Sequence, residues 1–119
     1  MALVTGASRG IGKAVALRFA AEGAAIAFTH VTPSAAAEQT EQEIAALGVK
    51  VKRYVADAAD YAATEALVAD VVKEFGRIDI LVNNAGITRD TLLMRMSEQQ
   101  WDEGISANLK SAFNFCRLC

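Results

Sequence analysis

A short apolar run, a glycine-rich turn and the start of a helix follow one another in residues 2–12, which read ALVTGASRGIG. The first N–H groups of a helix have no intrahelical partners, and the helix dipole adds partial positive charge there, so this order predicts a pocket for an anion. Gly6 can adopt a turn conformation that a Cβ forbids, Gly10 lets a pyrophosphate approach the backbone, and Gly12 lets the helix pack closely on its strand.

The spacing of these glycines is G-x-x-x-G-x-G, which differs from the usual dinucleotide fingerprint G-x-G-x-x-G. A glycine cluster of this kind also fits an ordinary tight turn between a strand and a helix. The turn alone therefore leaves two interpretations open, an anion site and a purely structural turn.

Strand-like and helix-like segments alternate along the rest of the chain. Further strands are predicted at 25–29, 49–55 and 78–82, and helices between them end at Gly23, Gly48 and Gly76. The short connections favour a parallel sheet with right-handed crossovers. Alternating lysines in the third strand indicate a sheet edge, and the apolar fourth strand is typical of burial on both faces.

The helices carry recognisable start signals and apolar faces. The first shows a stripe at helical period, formed by Ile11, Val15 and Phe19. The predicted N-terminal caps are Thr32 with Pro33 at the first helical position, Asp60, and a capping box of Ser97 with Gln100. From Ser97 a helical region, with a bend near Gly104, is predicted to run to the last residue.

Composition excludes several classes of protein. The 119 residues allow one domain at most, the net charge is −2 with scattered basic residues, and no apolar run reaches the ~20 residues of a membrane helix. Nucleic-acid and membrane partners are therefore not predicted, and a strand at the N-terminus leaves no room for a signal peptide. Cys116 and Cys119 are spaced for a redox or metal half-site, but two buried thiols on a helix face are favoured. The sequence shows no disulfide framework, which fits a reducing cytoplasm.

Several separated motifs resemble the short-chain dehydrogenase/reductase family in identity, order and spacing. They are Thr5 to Gly12 (TGASRGIG), Asp57, Asn83 to Gly86 (NNAG) and Asn108. The stretch NNAGITRDTLLMRM at 83–96, with Trp101 and Asn108-Leu109 beyond it, is similar to β-ketoacyl-(acyl carrier protein) reductases of fatty acid synthesis in particular. Because the motifs lie on different strand-to-helix turns, a chance coincidence is improbable.

The resemblance implies an α/β fold, a Rossmann-like doubly wound parallel sheet in three αβα layers with strand order 3-2-1-4, incomplete at its C-terminal side. Residues 1–119 would be the N-terminal part of a single dinucleotide-binding domain. The pyrophosphate and adenosine ribose would be held by Gly6, Ser8, Arg9, Gly10, Ile11 and Gly12. The adenine amino group would bind Asp57 with Ala58 beside it, and the nicotinamide-side ribose would border Asn84, Ala85 and Gly86. Judged without the resemblance, Asp57 also fits an ordinary turn or capping aspartate, and the paired asparagines also fit a left-handed turn.

The end of the second strand favours NADP(H) over NAD. Thr29-His30-Val31 stands where an NAD-preferring enzyme usually has an acid for the ribose diol, and Arg9 is placed to pair with a 2′-phosphate. His30 would assist that phosphate or would be an exposed strand-end residue without a role. A metal site is not predicted, because this histidine has no partners in the sequence.

Family members transfer hydride to a carbonyl with a Tyr-x-x-x-Lys pair, a serine and an asparagine, and only the asparagine, Asn108, matches here. Neither Tyr54 nor Tyr61 has a lysine four positions later. Three interpretations follow: the N-terminal part of an oligomeric reductase for a ketoacyl-(acyl carrier protein) or another small carbonyl compound, an inactive nucleotide-binding half-fold that self-associates, or a non-catalytic structural or interaction protein. Met94 and Met96 are expected to pack in the core rather than line an acyl path, and Trp101 to anchor it.

Overall fold

The computed structural model describes residues 1–32, 34–86 and 92–119 of the chain. Its elements in chain order are β1 (Ala2–Val4), α1 (Gly10–Ala21), β2 (Ile26–His30), α2 (Ala35–Ala45), β3 (Val51–Val55), α3 (Tyr61–Phe75), β4 (Ile80–Val82), a 3-10 turn (Leu93–Arg95), α4 (Glu98–Ile105), a π-helical segment (Ser106–Lys110) and α5 (Ser111–Leu118). The predicted role of Pro33 and positions 87–91 of the family-like stretch lie outside the described residues.

The four strands form one parallel sheet in the order β3-β2-β1-β4, which confirms the predicted order. The central strand β1 pairs with β2 and β4, so that Leu3 lies between Ala27 and Leu81. Every residue of β1 and β2 is buried. The predicted burial of β4 is wrong within the described part of the chain, where β4 is an edge and Ile80 is exposed.

Alternate residues of the strands supply two cores, one on each face of the sheet. The core under α1 and α2 contains Val4, Ala16, Ile26, Phe28 and Ile44 among its buried residues. The core under α3 and α5 contains Leu3, Ala27, Leu67, Val71 and Phe115. Because successive side chains of a strand point to opposite faces, the apolar strands bury both sets at once, and the three-layer α/β/α arrangement is confirmed.

Helix α1 packs on the sheet through its smallest residues. Its buried residues are Gly12, Ala16 and Ala20, whereas Ile11, at the start of the predicted apolar stripe, is 77% exposed. The predicted stripe is thus exposed at Ile11 but partly buried at Phe19, which packs against this core, while the small residues form the closest contact with the sheet.

Most helix boundaries follow the predicted signals. Asp60 accepts a hydrogen bond from the Ala63 N–H at 3.1 Å, and Ser97 forms the predicted capping box with Gln100. The predicted cap at Thr32 is wrong, since α2 begins later and Ser34 accepts from the Ala37 N–H at 3.2 Å.

The C-terminal helical region differs most from expectation. Its irregularity is the π-helical segment at Ser106–Lys110, which begins two residues after Gly104, near which a bend was predicted. Helix α4 has no buried residue, so Trp101 is 58% exposed and is not the core anchor that was predicted. Met94 is 92% exposed on the preceding turn, against the packing role expected for it, and Met96 is half-buried.

The two cysteines are free and exposed, so the expectation of buried thiols is wrong. Helix α5 buries Ser111, Asn114 and Phe115 instead, which turns the thiols away from the core. Among the described residues, no three or more metal-binding side chains are grouped together, and no helix is both long and apolar enough to cross a membrane.

Candidate functional site

The turns that follow β1, β2 and β4 meet at the carboxyl edge of the sheet and enclose a cleft of about 410 Å³. Ligands of open parallel sheets bind at this edge, where the strand order reverses. The cleft is lined by Gly6, Ser8, Arg9, His30, Val31, Thr32, Ser34, Ala36, Ala85 and Gly86. Six of the residues predicted for cofactor binding thus lie together: Gly6, Ser8, Arg9, His30, Ala85 and Gly86.

The three glycines of the turn differ in what surrounds them. Gly6 has φ +67°, and a Cβ there would lie 2.9 Å from the Ala85 Cα atom. At Gly12 a Cβ would lie 2.5 Å from Asn84 Nδ2 and 2.6 Å from the Gly6 carbonyl oxygen. Gly10 also has a positive φ, of +63°, but a Cβ there would meet nothing within 4 Å. Gly6 and Gly12 are therefore required for internal packing, whereas Gly10 leaves space open to a ligand.

The start of α1 lacks a side-chain cap. Its N-cap residue is Arg9, without a capping hydrogen bond, and the Lys13 N–H is bonded to the Arg9 carbonyl oxygen. Helices α2, α3 and α4 by contrast are capped by the side chains of Ser34, Asp60 and Ser97. In α1 the N–H groups of residues 9–12 precede the first intrahelical bond, which suits the binding of an anion.

The turn after β4 is fastened to the turn after β1 by four hydrogen bonds. Asn84 Nδ2 donates to the carbonyl oxygens of Thr5 (3.2 Å) and Gly6 (3.0 Å). In return, Thr5 Oγ1 accepts from the N–H groups of Asn84 (3.0 Å) and Ala85 (2.9 Å). No non-glycine residue of the described chain has a positive φ, so the left-handed-turn interpretation of the paired asparagines is wrong. The Asn84 side chain instead joins the two turns.

Asn108 lies in the π-helical segment and faces the β4 turn. A Cβ added to Gly86 would collide with Asn108 Oδ1, so this side chain lies directly against the Gly86 backbone. Isolated π-helical turns are often found at functional sites. The segment thus brings Asn108 next to Gly86, a lining residue of the cleft that is predicted to contact the cofactor.

His30 and Arg9 line the cleft from the turns that follow β2 and β1. His30 is 4% exposed, which contradicts the interpretation of an exposed histidine. Its Nδ1 atom lies 3.0 Å from the Thr32 carbonyl oxygen, and its buried Nε2 atom has no hydrogen-bond partner among the described residues. Arg9 is exposed, and no carboxylate belongs to the described lining of the cleft.

Asp57, Ala58 and the Ile11 side chain lie outside the cleft lining. Asp57 is exposed just after β3, where its Oδ1 atom accepts from the Ala59 N–H at 2.9 Å, as a turn aspartate does. Ala58 is buried, and its carbonyl oxygen accepts from Asn114 Nδ2 at 3.0 Å. The turn after β3 adjoins β2 through a bond from the Ala56 N–H to the His30 carbonyl oxygen.

Sequence reasoning missed the hydroxyl groups that hold the glycine turn. Thr29 Oγ1 accepts from the Gly6 N–H at 3.2 Å, and Thr40 Oγ1 donates to the Ser8 carbonyl oxygen at 2.7 Å. The available signal was a threonine in the buried row of α2, at the position one helical turn before Ile44.

Comparisons with known proteins show the family and the fold of the chain. The family model of short chain dehydrogenases matches residues 1–119. The chain is 51% identical over 113 residues to the 3-oxoacyl-[acyl-carrier-protein] reductase FabG of Staphylococcus aureus, covering 95% of this chain and 46% of that protein. It is 46% identical over 117 residues to the FabG protein of Escherichia coli, covering 98% and 46%.

A solved short chain dehydrogenase from Burkholderia cenocepacia, in complex with NADP, superposes with a TM-score of 0.94 at 39% identity, covering 98% of this chain and 48% of that one. A Serratia marcescens short-chain dehydrogenase/reductase variant gives the same TM-score at 38% identity, covering 98% and 48%. The chain spans about half the length of the curated relatives it matches. With a family model that matches it from end to end, the chain belongs to the short-chain dehydrogenase family.

Proposed function

We propose that this protein is an NADP(H)-dependent oxidoreductase that reduces a carbonyl group, in the cytoplasm, with a β-ketoacyl group on acyl carrier protein as its substrate. Residues 1–119 supply the cofactor-binding part of a single dinucleotide-binding domain. The observation that carries the proposal is the uncapped start of α1, which opens at a cleft bordered by Arg9 and free of carboxylates among its described lining residues. The identity to the two FabG proteins supports the substrate class.

The described residues fit a dinucleotide phosphate. In the proposal the pyrophosphate binds the N–H groups at the start of α1, over the open face of Gly10. Arg9 pairs with the 2′-phosphate, and His30 lies close to that end of the cleft. The NADP complex of the Burkholderia cenocepacia protein supports this choice of cofactor.

The remaining assignments concern the two ends of the cofactor. Asp57 and Ala58, at the turn beside β2, are proposed to contact the adenine, with the buried Ala58 contributing backbone rather than side chain. Asn84, Ala85 and Gly86 are proposed to border the nicotinamide-side ribose. Because the Asn84 amide group is already bonded to the β1 turn, Asn84 fixes this border and takes no cofactor contact through Nδ2.

The cofactor supplies a hydride to the carbonyl carbon, and the chain must supply the proton for the carbonyl oxygen. Asn108 is the proposed member of the proton relay in this part of the protein, held against Gly86. A proton donor needs a pKa near neutrality, whereas burial raises the pKa of the Tyr54 phenol. Tyr54 is therefore unsuited to this role. We propose that the Ser and the Tyr-x-x-x-Lys pair lie in the part of the protein that corresponds to the half of its relatives not matched by residues 1–119.

The direct test is steady-state turnover by the full-length protein. We expect it to oxidise NADPH only when a β-ketoacyl thioester is added, with kcat/KM for a carrier-protein thioester above that for the free thioester. With NADH in place of NADPH, kcat/KM should fall at least about 10-fold, the loss of a charge-assisted contact. NADPH oxidation that is absent with every ketoacyl substrate, in a protein that binds NADPH, would contradict the substrate assignment.

A nucleotide-binding protein that self-associates is the second candidate. It is favoured by the apolar cleft on the outer face of α1, of about 360 Å³, lined by Ile11, Ala14, Val15, Arg18 and Phe19. Self-association would also cover the half-exposed edge strand β4, since sheet edges and apolar patches of this kind are commonly covered by another chain. Analytical ultracentrifugation should then show a homo-oligomer without reductase turnover, and a monomer at high concentration would contradict it.

A further inference from the structure

Helix α2 presents a fully buried hydroxyl to the glycine turn. Its buried residues are Ala37, Thr40 and Ile44, and Thr40 is 0% exposed. A threonine inside a helix commonly donates to the carbonyl of its own preceding turn, as Thr64 does in α3, where Oγ1 lies 2.8 Å from the Asp60 carbonyl oxygen. Thr40 donates instead to Ser8, 32 residues earlier in the chain, at 2.7 Å. This bond joins α2 to the glycine turn of the candidate site.

The bond fixes the direction of one peptide unit. In a planar trans peptide the C=O and N–H groups point in opposite directions. Because Thr40 holds the Ser8 C=O towards the buried face of α2, the N–H of the same unit, which belongs to Arg9, points away from α2. Arg9 is the N-cap of α1, so this N–H is one of the donors that precede the first intrahelical bond. Rotation of the unit would turn a carbonyl oxygen towards the anion site.

The neighbouring groups are held independently of this bond. The N–H groups of Gly6 and Ala7 donate to Thr29 Oγ1 (3.2 Å) and to the Thr29 carbonyl oxygen (3.1 Å). Helix α2 is tied to α1 by the ion pair of Lys13 with Glu43 at 2.8 Å, and the Lys13 ammonium group holds the pKa of the Glu43 carboxyl below its usual value. The Thr40 hydroxyl therefore acts from a fixed position on the part of the turn that follows Ala7.

We propose that Thr40 is a positioning residue for the cofactor phosphates, acting through the Ser8–Arg9 peptide unit without touching the cofactor. This inference rests on the proposed function. It gives helix α2, which lies outside the glycine motif, a part in phosphate binding. It also predicts that cofactor affinity depends on the hydroxyl of Thr40 and not on its methyl group.

Thr40→Val in the full-length protein tests this assignment, with Thr64→Val as the matched control. Each substitution removes one buried hydroxyl that donates to a backbone carbonyl, so both variants should lose thermal stability. Only Thr40→Val should weaken NADPH binding, about 10-fold by fluorescence titration, as expected when a buried carbonyl loses its donor and its peptide unit can turn. Thr40→Ser keeps the hydroxyl and should bind as the wild type does, despite the stability lost with the methyl group.

A second readout requires no cofactor. In two-dimensional NMR spectra of the unliganded protein, the Arg9 amide resonance should shift in Thr40→Val and stay in place in Thr64→Val. If wild type fails to bind NADPH, the proposed function is wrong, yet the Arg9 resonance still reports on Thr40. Equal losses of affinity in the two valine variants, an affinity in Thr40→Ser that falls with its stability, or an unmoved Arg9 resonance would each overturn the assignment.

Discussion

Gly12→Ala is expected to weaken NADPH binding about 100-fold and to lower the stability of the full-length protein. The added Cβ would lie 2.5 Å from Asn84 Nδ2 and 2.6 Å from the Gly6 carbonyl oxygen. Overpacking typically costs about 1–3 kcal/mol, and because one of these contacts is with backbone, the cost here should reach the upper end. Relief of the collision requires α1 to move away from the turn, which displaces its N–H groups from the phosphates and costs about 100-fold in affinity.

The control for this variant is Gly104→Ala in α4, where a Cβ meets nothing within 4 Å and the residue lies within a helix. This change should leave NADPH affinity unaltered and raise stability by about 0.5–1 kcal/mol, as alanine does in a helix interior. Titration calorimetry and thermal unfolding measure both quantities. Unchanged NADPH affinity in Gly12→Ala would show that the close approach of α1 to the turn is not needed for binding.

Arg9→Ala is expected to weaken NADPH binding roughly 10- to 150-fold, the range for the loss of hydrogen bonds to a charged partner worth about 1.5–3 kcal/mol. The affinity for NADH should change little, because NADH lacks the 2′-phosphate. The ratio of the two dissociation constants is therefore the informative quantity. It can be measured by the quenching of protein fluorescence or by calorimetry at one fixed ionic strength.

Arg18→Ala provides the matched control, since Arg18 lies on the same helix, is exposed and pairs with Glu22 at 2.9 Å. It removes the same charge from α1 at a distance from the cleft and should leave the preference for NADPH intact. If Arg9→Ala and Arg18→Ala lower NADPH affinity equally, the effect is one of net charge, and Arg9 does not bind the 2′-phosphate directly.

The sheet could be predicted from the sequence because its strands are short apolar runs separated by glycine-terminated helices. The structure contains the predicted glycine turn, the predicted turn at Asn83–Gly86 and the predicted strand order 3-2-1-4. The caps that local side chains provide at Asp60 and Ser97 were also predicted, whereas the cap at Ser34 was not. Local chemistry determines the strands, the turns and these caps, whereas the strand order was implied by the family resemblance.

Features that depend on how closely the helices and strands pack in the folded chain were not predicted. An apolar stripe at Ile11, Val15 and Phe19 is as regular as the buried row of α1, and only the approach of the helix to the sheet selects Gly12, Ala16 and Ala20. The burial of His30 likewise follows from its position at the end of a strand whose residues are all buried.

The role of Thr40 depends on a bond across 32 residues, which helical periodicity does not reveal. The exposure of Trp101 and Met94 has a comparable origin, because packing rather than composition decides whether a large side chain is covered. In each case the sequence suggests a role from the residue type but does not show which residues surround that side chain in the fold.

The most direct test of the central claim is a two-dimensional NMR titration of the full-length protein with NADPH and, separately, with NADH. We predict that the largest shifts for both cofactors fall on the amide resonances of residues 9–12, and that the Arg9 guanidinium resonance moves only with NADPH. Shifts confined to other surfaces, such as the apolar cleft of α1, or no shift at millimolar NADPH, would contradict the claim that the start of α1 binds the phosphates.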